Sequence, residues 1–505
     1  MFKRTFYFEK SYMKKTNLKV LDSIKNTKMN ICKRCNLNCF NSERLKQHEE
    51  KCIRKIPIKP RLPLANSKYA TVTFKPGTKE YDLKEILEYF PEEQHQEIKQ
   101  CIQDEFGIDL LKCKSLGVAG YMALVKSIGK IDLMTDKYTK EFDFMLNAYH
   151  GGYTCLNRFK SVAKATEIGM TIDCNSLYPY AACFPMPIDS YKFTDPNEWD
   201  SQRIMQISLY GETGYYFDVA YTIPEDVKNY IDDYPITRSR ENIADVIDRT
   251  NYVDHYYNIQ MMILSGYKIT KINKVLQFRQ KPIMQEFFLK CYNLRNKYPR
   301  IQSAIKLLMN SIYGLLIVKP ENITKITVNT DKEFYQHAYD MTLIKSVEYN
   351  TDGSVTLEKI NPLCFYQSPF HWGITLLSIS RRVMSNFYYK NLKPLNNFRL
   401  LATRTDSFKF IADKNDIEEK LLPVLSKELG KFKQEGQMFT YFIANNTLRV
   451  AYEYDEELEE LIDRHIKGLT TKTENRRYFA NTTCKRAFNG LQSRALHFYQ
   501  FDYRI

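Results

Sequence analysis

Four potential zinc ligands stand close together near the start of the sequence, in ICKRCNLNCFNSERLKQHEEKC. Cys32 and Cys35 are separated by two residues, and after twelve more residues His48 and Cys52 are separated by three. A structural Zn²⁺ is held tetrahedrally, with two ligands from a hairpin and two from one helix face, and these spacings supply both pairs. The segment therefore predicts a ββα zinc finger of the C2HC type that holds one structural Zn²⁺.

Two aspartates farther along the chain are predicted at the ends of buried strands. Asp173 follows an apolar run in TEIGMTIDCNSLYPY, and Asp406 occupies the apex of a hairpin in NFRLLATRTDSFKFIA. Arg404 stands two residues before Asp406. An acid at a turn is also an ordinary surface feature, so the surrounding sequence has to decide whether these two act together.

The segments around these acids predict a mixed architecture. Amphipathic helices are predicted in EYDLKEILEYF, EEQHQEIKQCIQDEF, QEFFLKCYNLRNK and SAIKLLMNSIYG. Together with the strands that precede Asp173 and flank Asp406, they predict an α+β fold. A chain of 505 residues exceeds the size of a single core, so two or more domains are expected.

Charge and cysteine usage limit the partners and the compartment. The formal net charge is +15, which calls for a polyanion, and nucleic acid is the commonest such partner. The twelve cysteines are scattered, as is typical of a reducing compartment. No secretory signal or membrane span is predicted. We expect an intracellular protein, in the nucleus, the cytoplasm or a virus factory of a host, without a membrane partner.

Three stretches in order give a resemblance to a known family. DCNSLYP (173–179), KLLMNSIYG (306–314) and TRTDS (403–407) resemble motifs A, B and C of family B DNA polymerases, which read D-x-x-S-L-Y-P, K-x-x-x-N-S-x-Y-G and D-T-D-S. AYHGGYTCLNRF resembles the Y-x-G-G segment of the protein-primed members, found in viruses, linear plasmids and Polinton-like elements. The resemblance implies a right-hand fold of palm, fingers and thumb, with the zinc finger preceding it. A zinc-finger transcription regulator would not explain the order of the motifs.

The resemblance also implies roles for individual residues. Asp173 and Asp406 would be the catalytic acids and would hold two Mg²⁺ or Mn²⁺ ions, because carboxylates are the hard oxygen ligands that these ions prefer. The implied nucleotide-binding residues are Ser176, Leu177, Tyr178, Lys306, Asn310, Tyr313 and Arg295. The implied DNA-binding residues are Tyr149, Gly151, Gly152, Thr405, Ser407, Arg449, Tyr452, Lys467 and Gly468.

The predicted domain order follows from these motifs. We predict a zinc-finger segment (1–53), a basic Pro-rich linker (54–66), a remnant of the region bordering an exonuclease (67–148), palm and fingers (149–440), and a thumb with a tail (441–505). Long spacings between the motifs predict two insertions, at about 190–255 and 318–362, or else unrelated surface loops. In the second, ENITKITVNTDKEF and VEYNTDGSVTLEKI are both predicted as hairpins.

Three departures from the family pattern bear on activity. Arg404 replaces the first Asp of D-T-D-S, and at about 6 Å and an effective dielectric constant of about 20 each unit charge pair amounts to about 3 kcal/mol. The K-x-Y element is replaced by Val450-Ala451-Tyr452, and no D-x-E pair typical of a proofreading exonuclease is found upstream. The leading hypothesis is a DNA-directed DNA polymerase that uses template, primer, dNTPs and a terminal priming protein. The alternative is an inactive, polymerase-derived DNA-binding protein.

Overall fold

A computed structural model describes residues 43, 46 and 61–467, apart from 240–243, 321–322, 338–343, 361–364, 437, 445–448, 453, 456–459 and 462–464. These residues form two compact units. The smaller unit takes 319–366 together with the described residues up to 62, and the larger takes 63–318 and the described residues from 367 onward. The predicted zinc ligands and Gly468 lie outside the described residues.

The larger unit combines helices with antiparallel sheets, as expected for the α+β class. The described α-helices of the whole chain are α1 (Leu83–Ile86), α2 (Glu92–Phe106), α3 (Leu116–Ile128), α4 (Thr139–Leu146), α5 (Leu177–Ala182), α6 (Ser201–Met205), α7 (Glu225–Ile231), α8 (Tyr256–Leu264), α9 (Gln285–Lys297), α10 (Gln302–Leu316), α11 (Asp331–His337, in the smaller unit), α12 (Phe370–Phe387) and α13 (Lys414–Asp416). None of the described helices is both long and apolar enough to cross a bilayer.

One helical layer of the larger unit consists of α2, α3, α9 and α10, whose apolar faces share a buried core. Helix α2 ends at Gly107, which has a φ of +62°, and α3 begins where the Ser115 side chain accepts a hydrogen bond from the Val118 N–H. Both are ordinary helix-end signals. Helices α3 and α10 approach closely at Gly120, where an added Cβ would lie 2.8 Å from the Leu308 carbonyl oxygen. The backbones of α3 and α10 therefore lie in close contact at this glycine.

A five-stranded sheet carries both aspartates that the sequence analysis singled out. Its strands pair in the order β15-β5-β14-β13-β3, and all neighbours are antiparallel. Their bounds are β3 (Thr154–Leu156), β5 (Glu167–Cys174), β13 (Arg399–Arg404), β14 (Ser407–Asp413) and β15 (Phe432–Gln434). Met170, Ile172, Phe408 and Phe410 are fully buried within it, which explains the apolar runs that predicted these strands.

A second antiparallel sheet in the larger unit pairs its strands in the order β6-β9-β7-β8. Their bounds are β6 (Met186–Thr194), β7 (Thr213–Thr222), β8 (Arg249–His255) and β9 (Lys268–Lys281). Asp254 of β8 accepts hydrogen bonds from both terminal guanidinium nitrogens of Arg381 in α12, each at 2.9 Å, and both side chains are almost fully buried. This ion pair joins the sheet to α12, the helix that precedes the hairpin of Asp406.

The remaining sheets of the larger unit are small. They are the pair β1 (Thr71–Thr73) and β2 (Lys130–Asp132), the pair β18 (Tyr454–Asp455) and β19 (Glu460–Leu461), and a four-stranded sheet in the order β20-β17-β16-β4, formed by β4 (Lys160–Val162), β16 (Tyr441–Ala444), β17 (Arg449–Tyr452) and β20 (His465–Lys467). The four-stranded sheet joins the end of the described chain to a strand that directly precedes β5.

The smaller unit contains a three-stranded sheet in the order β10-β12-β11, with β10 (Ile323–Val328), β11 (Ile344–Tyr349) and β12 (Val355–Ile360). Strands β11 and β12 form the predicted hairpin, and Gly353 in its turn has a φ of +86°. The first predicted hairpin is wrong, because the chain continues from β10 into α11. The reason is a capping box, in which the Thr330 hydroxyl accepts from the Glu333 N–H and the Glu333 carboxylate accepts from the Asn329 N–H.

The predicted helices at 92–106, 285–297 and 303–314 are confirmed by α2, α9 and α10. The predicted helix at 80–90 is mostly wrong, since only Leu83–Ile86 is helical. Asp82 caps this single turn at one end, and Pro91 directly follows the segment. The residue before a proline is pushed away from helical backbone angles, which limits the helix at that end.

Candidate active site

The register of the five-stranded sheet brings Asp173 and Asp406 to the same edge. Asp173 is the penultimate residue of β5, and its register partner on β14 is Ser407, the residue after Asp406. The Cys174 N–H donates to the Asp406 carbonyl oxygen at 2.8 Å. Residues more than two hundred positions apart in the sequence thus become immediate neighbours at two strand ends.

The hairpin tip is held in a constrained backbone conformation by the Y-x-G-G segment. Thr405 has a φ of +58°, a left-handed conformation that a β-branched residue rarely adopts. Its N–H donates to the Tyr153 carbonyl oxygen at 2.8 Å, and a Cβ added to Gly152 would lie only 2.7 Å from Thr405 Cγ2. Glycine at position 152 is therefore what lets the segment approach the tip. The ring of Tyr149 packs 5.5 Å from that of Phe370.

The electrostatics of the site centre on Asp173. Burial, together with the charges of Asp406 and Glu435, raises the pKa of this carboxyl to about 6, although the charges of Lys433 and Lys306 oppose the shift. Lys433 Nζ lies 3.7 Å from Asp173 Oδ2. Like charges brought together in a partly buried site thus leave Asp173 unusually easy to protonate.

Arg404 is the last residue of β13, at the tip of the hairpin that carries Asp406. Its side chain is exposed, and its register partners are Ser407 and Thr154. The largest charge effects on the Asp173 pKa come from Asp406, Glu435, Lys433 and Lys306. The cation paired with Asp173 is therefore Lys433, which lies in the segment LGKFKQE (429–435) and was not singled out by the sequence analysis.

That LGKFKQE segment also fixes the loop after Asp173. The Asn175 N–H donates to the Lys431 carbonyl oxygen at 2.8 Å, and the Gly430 N–H donates to the Asn175 carbonyl oxygen at 2.9 Å. The Asn175 side-chain amide donates to the carbonyl oxygens of Lys427 and Glu428. The loop then turns through Ser176, which has a φ of +55°, into α5. Leu177, the first residue of α5, is buried in the core beneath the sheet.

Helix α10 presents Lys306, Asn310 and Tyr313 on one partly exposed face. The ring of Tyr313 stacks on that of Tyr178 with centroids 4.1 Å apart. Burial raises the pKa of Tyr178 to about 12, so this hydroxyl stays neutral. Lys306 is near enough to Asp173 to lower its pKa. The structure therefore brings α5, α10 and the two acids into one cleft of the larger unit.

Several polar atoms of α9, of α10 and of the loop before α5 are buried without a hydrogen-bond partner among the described residues. They are Ser176 Oγ, Asn310 Oδ1, and Nε and Nη1 of Arg295 in α9. Two other cations of that region are occupied elsewhere: Lys297 pairs with Glu105 at 2.6 Å and Arg300 with Glu97 at 3.8 Å. The sequence analysis treated Arg295 as a nucleotide ligand, and two of its donors, Nε and Nη1, have no partner among the described residues.

A comparison with protein families decides which class of protein carries this cleft. Residues 68–387 match the family model described as DNA polymerase type B, organellar and viral. The chain belongs to this family. The family B resemblance drawn from motifs A, B and C is thereby confirmed, and no curated protein matches the whole sequence significantly.

Solved structures of Phi29 DNA polymerase resemble this type B polymerase chain in fold. One, complexed with primer-template DNA, gives a TM-score of 0.53 at 15% identity and covers 76% of this chain and 64% of that one. Another, complexed with primer-template DNA and incoming nucleotides, gives 0.50 at 16% identity and covers 75% and 64%. The chain thus matches less than two thirds of the Phi29 polymerase.

The acids of this type B polymerase chain fit the divalent cations that such polymerases use in general. Asp173 and Asp406 supply hard oxygen ligands at one edge, and their mutual repulsion is what a bound cation would relieve. No group of three or more His, Cys, Asp or Glu side chains arranged to hold a metal occurs among the described residues. Asp173 and Asp406 would contribute carboxylates, and substrate phosphates and water would supply further ligands.

Farther along the polymerase chain, the backbone places the predicted DNA-binding residues Arg449 and Tyr452 on β17. Lys467 lies on the neighbouring strand β20, directly opposite Arg449 in register. Val450, which takes the place of the lysine in K-x-Y, therefore lies on the same small sheet as the basic residues Arg449 and Lys467. The roles of these residues stay predictions.

Proposed function

We propose that this chain is a DNA-directed DNA polymerase that extends a primer by template-dependent nucleotidyl transfer. The observation that carries the proposal is the sheet register that joins Asp173 and Asp406, in a chain of the type B polymerase family. Two acids from distant motifs meet at one edge, beside a helix that carries Lys306. This is the arrangement that phosphoryl transfer to a primer hydroxyl requires.

Asp173 and Asp406 would hold the divalent cations. When bound, these ions activate the 3′-hydroxyl and stabilise charge on the phosphate in the transition state. The chain itself supplies orientation: Thr405 and Ser407 place Asp406 at the tip, and β15 fixes the loop after Asp173. The β15 side also provides a lysine, Lys433, as a local positive charge.

The incoming nucleotide would bind between the loop at Ser176 and helix α10. Buried polar atoms without partners are rare in folded proteins, and each one calls for an explanation. Ser176 Oγ, Asn310 Oδ1 and the Arg295 guanidinium together offer an acceptor, a hydroxyl and cationic donors to a ligand. Lys306 would neutralise phosphates, and Tyr178, stacked on Tyr313, would support the sugar and exclude a 2′-hydroxyl.

Primer and template DNA are the proposed polyanionic partners. The net charge of +15 favours them, and the Phi29 structures of similar fold were solved with primer-template DNA. The Y-x-G-G segment, with Tyr149, Gly151 and Gly152, would contact DNA next to the hairpin tip, because Gly152 already touches Thr405. A terminal priming protein and an intracellular site of replication of a virus, plasmid or mobile element belong to the same proposal.

Primer extension tests the proposal directly. The purified chain is given primed template and dNTPs with Mg²⁺ and, separately, with Mn²⁺. We expect extension by the wild type and none by Asp406→Asn. Extension that survives the loss of Asp406 would disprove the assigned site, and no extension by the wild type with either metal would disprove the proposed activity.

A second candidate function is DNA binding without catalysis. It is favoured by two cations near the acids, Arg404 at the hairpin tip and Lys433 against Asp173. This function predicts binding to primed DNA that weakens steeply with salt, because counterions are released from phosphates, together with no extension. A log–log salt slope near zero would exclude DNA binding by either candidate.

The zinc finger is a separate proposal, since Cys32, Cys35, His48 and Cys52 lie outside the described residues. We propose that they hold one Zn²⁺. Elemental analysis of protein purified without chelator should give about one zinc per chain, and Cys35→Ser should remove it. Absence of zinc from the intact protein would refute this part alone.

A further inference from the structure

Asp173 lies between an acidic residue, Asp406, on one side and a cationic residue, Lys433, on the other. Its strand, β5, pairs with β14 beside Asp406 and with β15 at Lys433. Lys433 is the direct register partner of Asp173, and its ammonium lies 3.7 Å from the Asp173 carboxylate. The same carboxylate that faces a second acid is therefore already paired with a cation of the chain.

The backbone holds Lys433 in this place. On one side of it, the Asn175 N–H donates to the Lys431 carbonyl oxygen at 2.8 Å; on the other, the Glu435 N–H donates to the Thr171 carbonyl oxygen at 2.8 Å. The strand cannot slip without breaking both bonds. The register therefore fixes the backbone of Lys433 directly beside Asp173.

The surroundings make this pair stronger than a surface pair. The side chain of Asp173 is 15% exposed and that of Lys433 is 27% exposed, so water screens their attraction only in part. The side chain of Arg404, in contrast, is exposed. Of the two cations Arg404 and Lys433, Lys433 is therefore the one that lies against the Asp173 carboxylate.

We propose that Lys433 is the resident counter-ion of Asp173, which competes with a divalent cation for the carboxylate and has to be displaced when the metal enters. The inference rests on the proposed function in taking Asp173 as a metal ligand. It adds a residue that controls metal affinity, because Lys433 sets how tightly the protein binds metal before DNA and nucleotide are bound. A lysine can do this because its ammonium is a compact charge on a flexible stem that can swing aside.

The test is a titration of the whole chain with Mn²⁺ alone, without DNA or nucleotide, in which electron paramagnetic resonance reports the free ion. Lys433→Met removes the charge and keeps most of the side-chain volume. We expect it to bind Mn²⁺ at least about tenfold more tightly than the wild type, which corresponds to about 1.4 kcal/mol. Lys433→Gln, a second neutral variant, should behave alike.

Two controls isolate the pair. Lys431→Met removes the same charge from an exposed side chain two positions away and should leave Mn²⁺ affinity within about twofold of the wild type. Lys433→Arg keeps the charge and should also stay near the wild type. In the double variant Lys433→Met/Asp173→Asn the gain in affinity should disappear. Thermal unfolding of each variant checks that it is folded.

Several results would overturn the inference. They are equal Mn²⁺ affinity of Lys433→Met, Lys433→Gln and the wild type, an equal gain in Lys431→Met, or a gain that persists without Asp173. Absence of Mn²⁺ binding in every variant would overturn it too. Primer extension on the same samples keeps the proposed function separate, because an active enzyme whose metal affinity ignores Lys433 contradicts only this inference. A metal affinity that depends on Lys433 in a chain that never extends a primer contradicts only the polymerase activity.

Discussion

Asp254 and Asp173 are both buried or largely buried aspartates on strands of the larger unit, yet their surroundings differ in kind. Asp254 accepts hydrogen bonds from Arg381, Ser378, Asn258 and the Tyr252 hydroxyl. Its burial alone would raise the pKa of its carboxyl, but the charge and hydrogen bonds of Arg381 lower it to about 2.

Asp173, by comparison, faces Asp406 and Glu435 with one cation at 3.7 Å, and burial with these charges raises its pKa to about 6. An acid that stabilises the fold has its partners within the chain, whereas an acid that serves a ligand is left with unbalanced charge. The contrast supports a structural role for Asp254 and agrees with the proposed metal-binding role of Asp173.

The largest expected effect is on primer extension when an acid of the cleft is neutralised. Asp173→Asn or Asp406→Asn should lower the extension rate at least about a thousandfold, or about 4 kcal/mol, since each removes a metal ligand. The folded state should keep its stability, because one of two repelling charges is lost. Gel-based extension and urea unfolding measure the two effects.

The matched control is Glu418→Gln, which neutralises an exposed acid after the same hairpin and should extend normally. If Asp406→Asn kept a tenth or more of the wild-type rate, the catalytic role proposed for the acids at this sheet edge would be wrong.

The opposite pattern is expected for the buried ion pair. Asp254→Asn should lower the free energy of unfolding by about 3–5 kcal/mol, because Arg381 is left buried without a charge partner. Arg381→Met should cost a similar amount, and the double variant less than the sum of both. Urea denaturation measures all three.

As a control, Glu92→Gln breaks an exposed pair with Lys84 and should be within error of the wild type. A small effect at Asp254 would show that the buried pair contributes no more than a surface pair, and the structural half of the comparison would be wrong.

A pH series sharpens the assignment of Asp254. Its folded pKa of about 2 lies below the unfolded value of about 3.9, so its charge stabilises the fold above pH 4, and this contribution is lost as the pH falls from 4 toward 2. The contribution is about 2.6 kcal/mol. The stability difference between wild type and Asp254→Asn should be constant from pH 5 to 7 and shrink below pH 4. A difference that grows on acidification would reverse the sign of the argument.

The smallest expected effect concerns Arg404. Arg404→Asp adds a carboxylate at the hairpin tip and should raise the extension rate about tenfold, or about 1.4 kcal/mol. In the wild type, replacing Mg²⁺ by Mn²⁺ should give part of the same increase in rate. The effect is limited because this side chain is exposed.

Arg404→Gln separates the two causes, since it removes the positive charge without adding an acid. Equal rates for wild type and Arg404→Asp would show that the arginine is tolerated. If both were inactive, the missing lysine near Tyr452 would be the next position to repair.

Local patterns predicted most of the elements that carry the site. The strand before Asp173, the hairpin around Asp406 and the helix of Lys306 are all confirmed, because alternating or helical apolar spacing is a local property of the chain. The incorrect hairpin at the start of the smaller unit had a readable signal, the T-x-x-E of Thr330 and Glu333.

Pairings between distant segments were not predictable in the same way. The sequence analysis considered only Arg404, which is close to Asp406 in the sequence, whereas the register of β15 against β5 also places Lys433 beside Asp173. Nor did any pattern mark Asp254 and Arg381, which are 127 residues apart, as partners.

The sequence by itself determined the family and the mixture of helices and sheets, and it singled out the two acids, because ordered motifs and apolar periodicity lie in short stretches of chain. Only the tertiary structure decided what those acids face. A carboxylate responds to charges within a few ångströms, and sheet register rather than sequence separation sets which charges those are. Strand register and packing produce three such contacts: Lys433 with Asp173, Gly152 with Thr405, and Arg381 with Asp254.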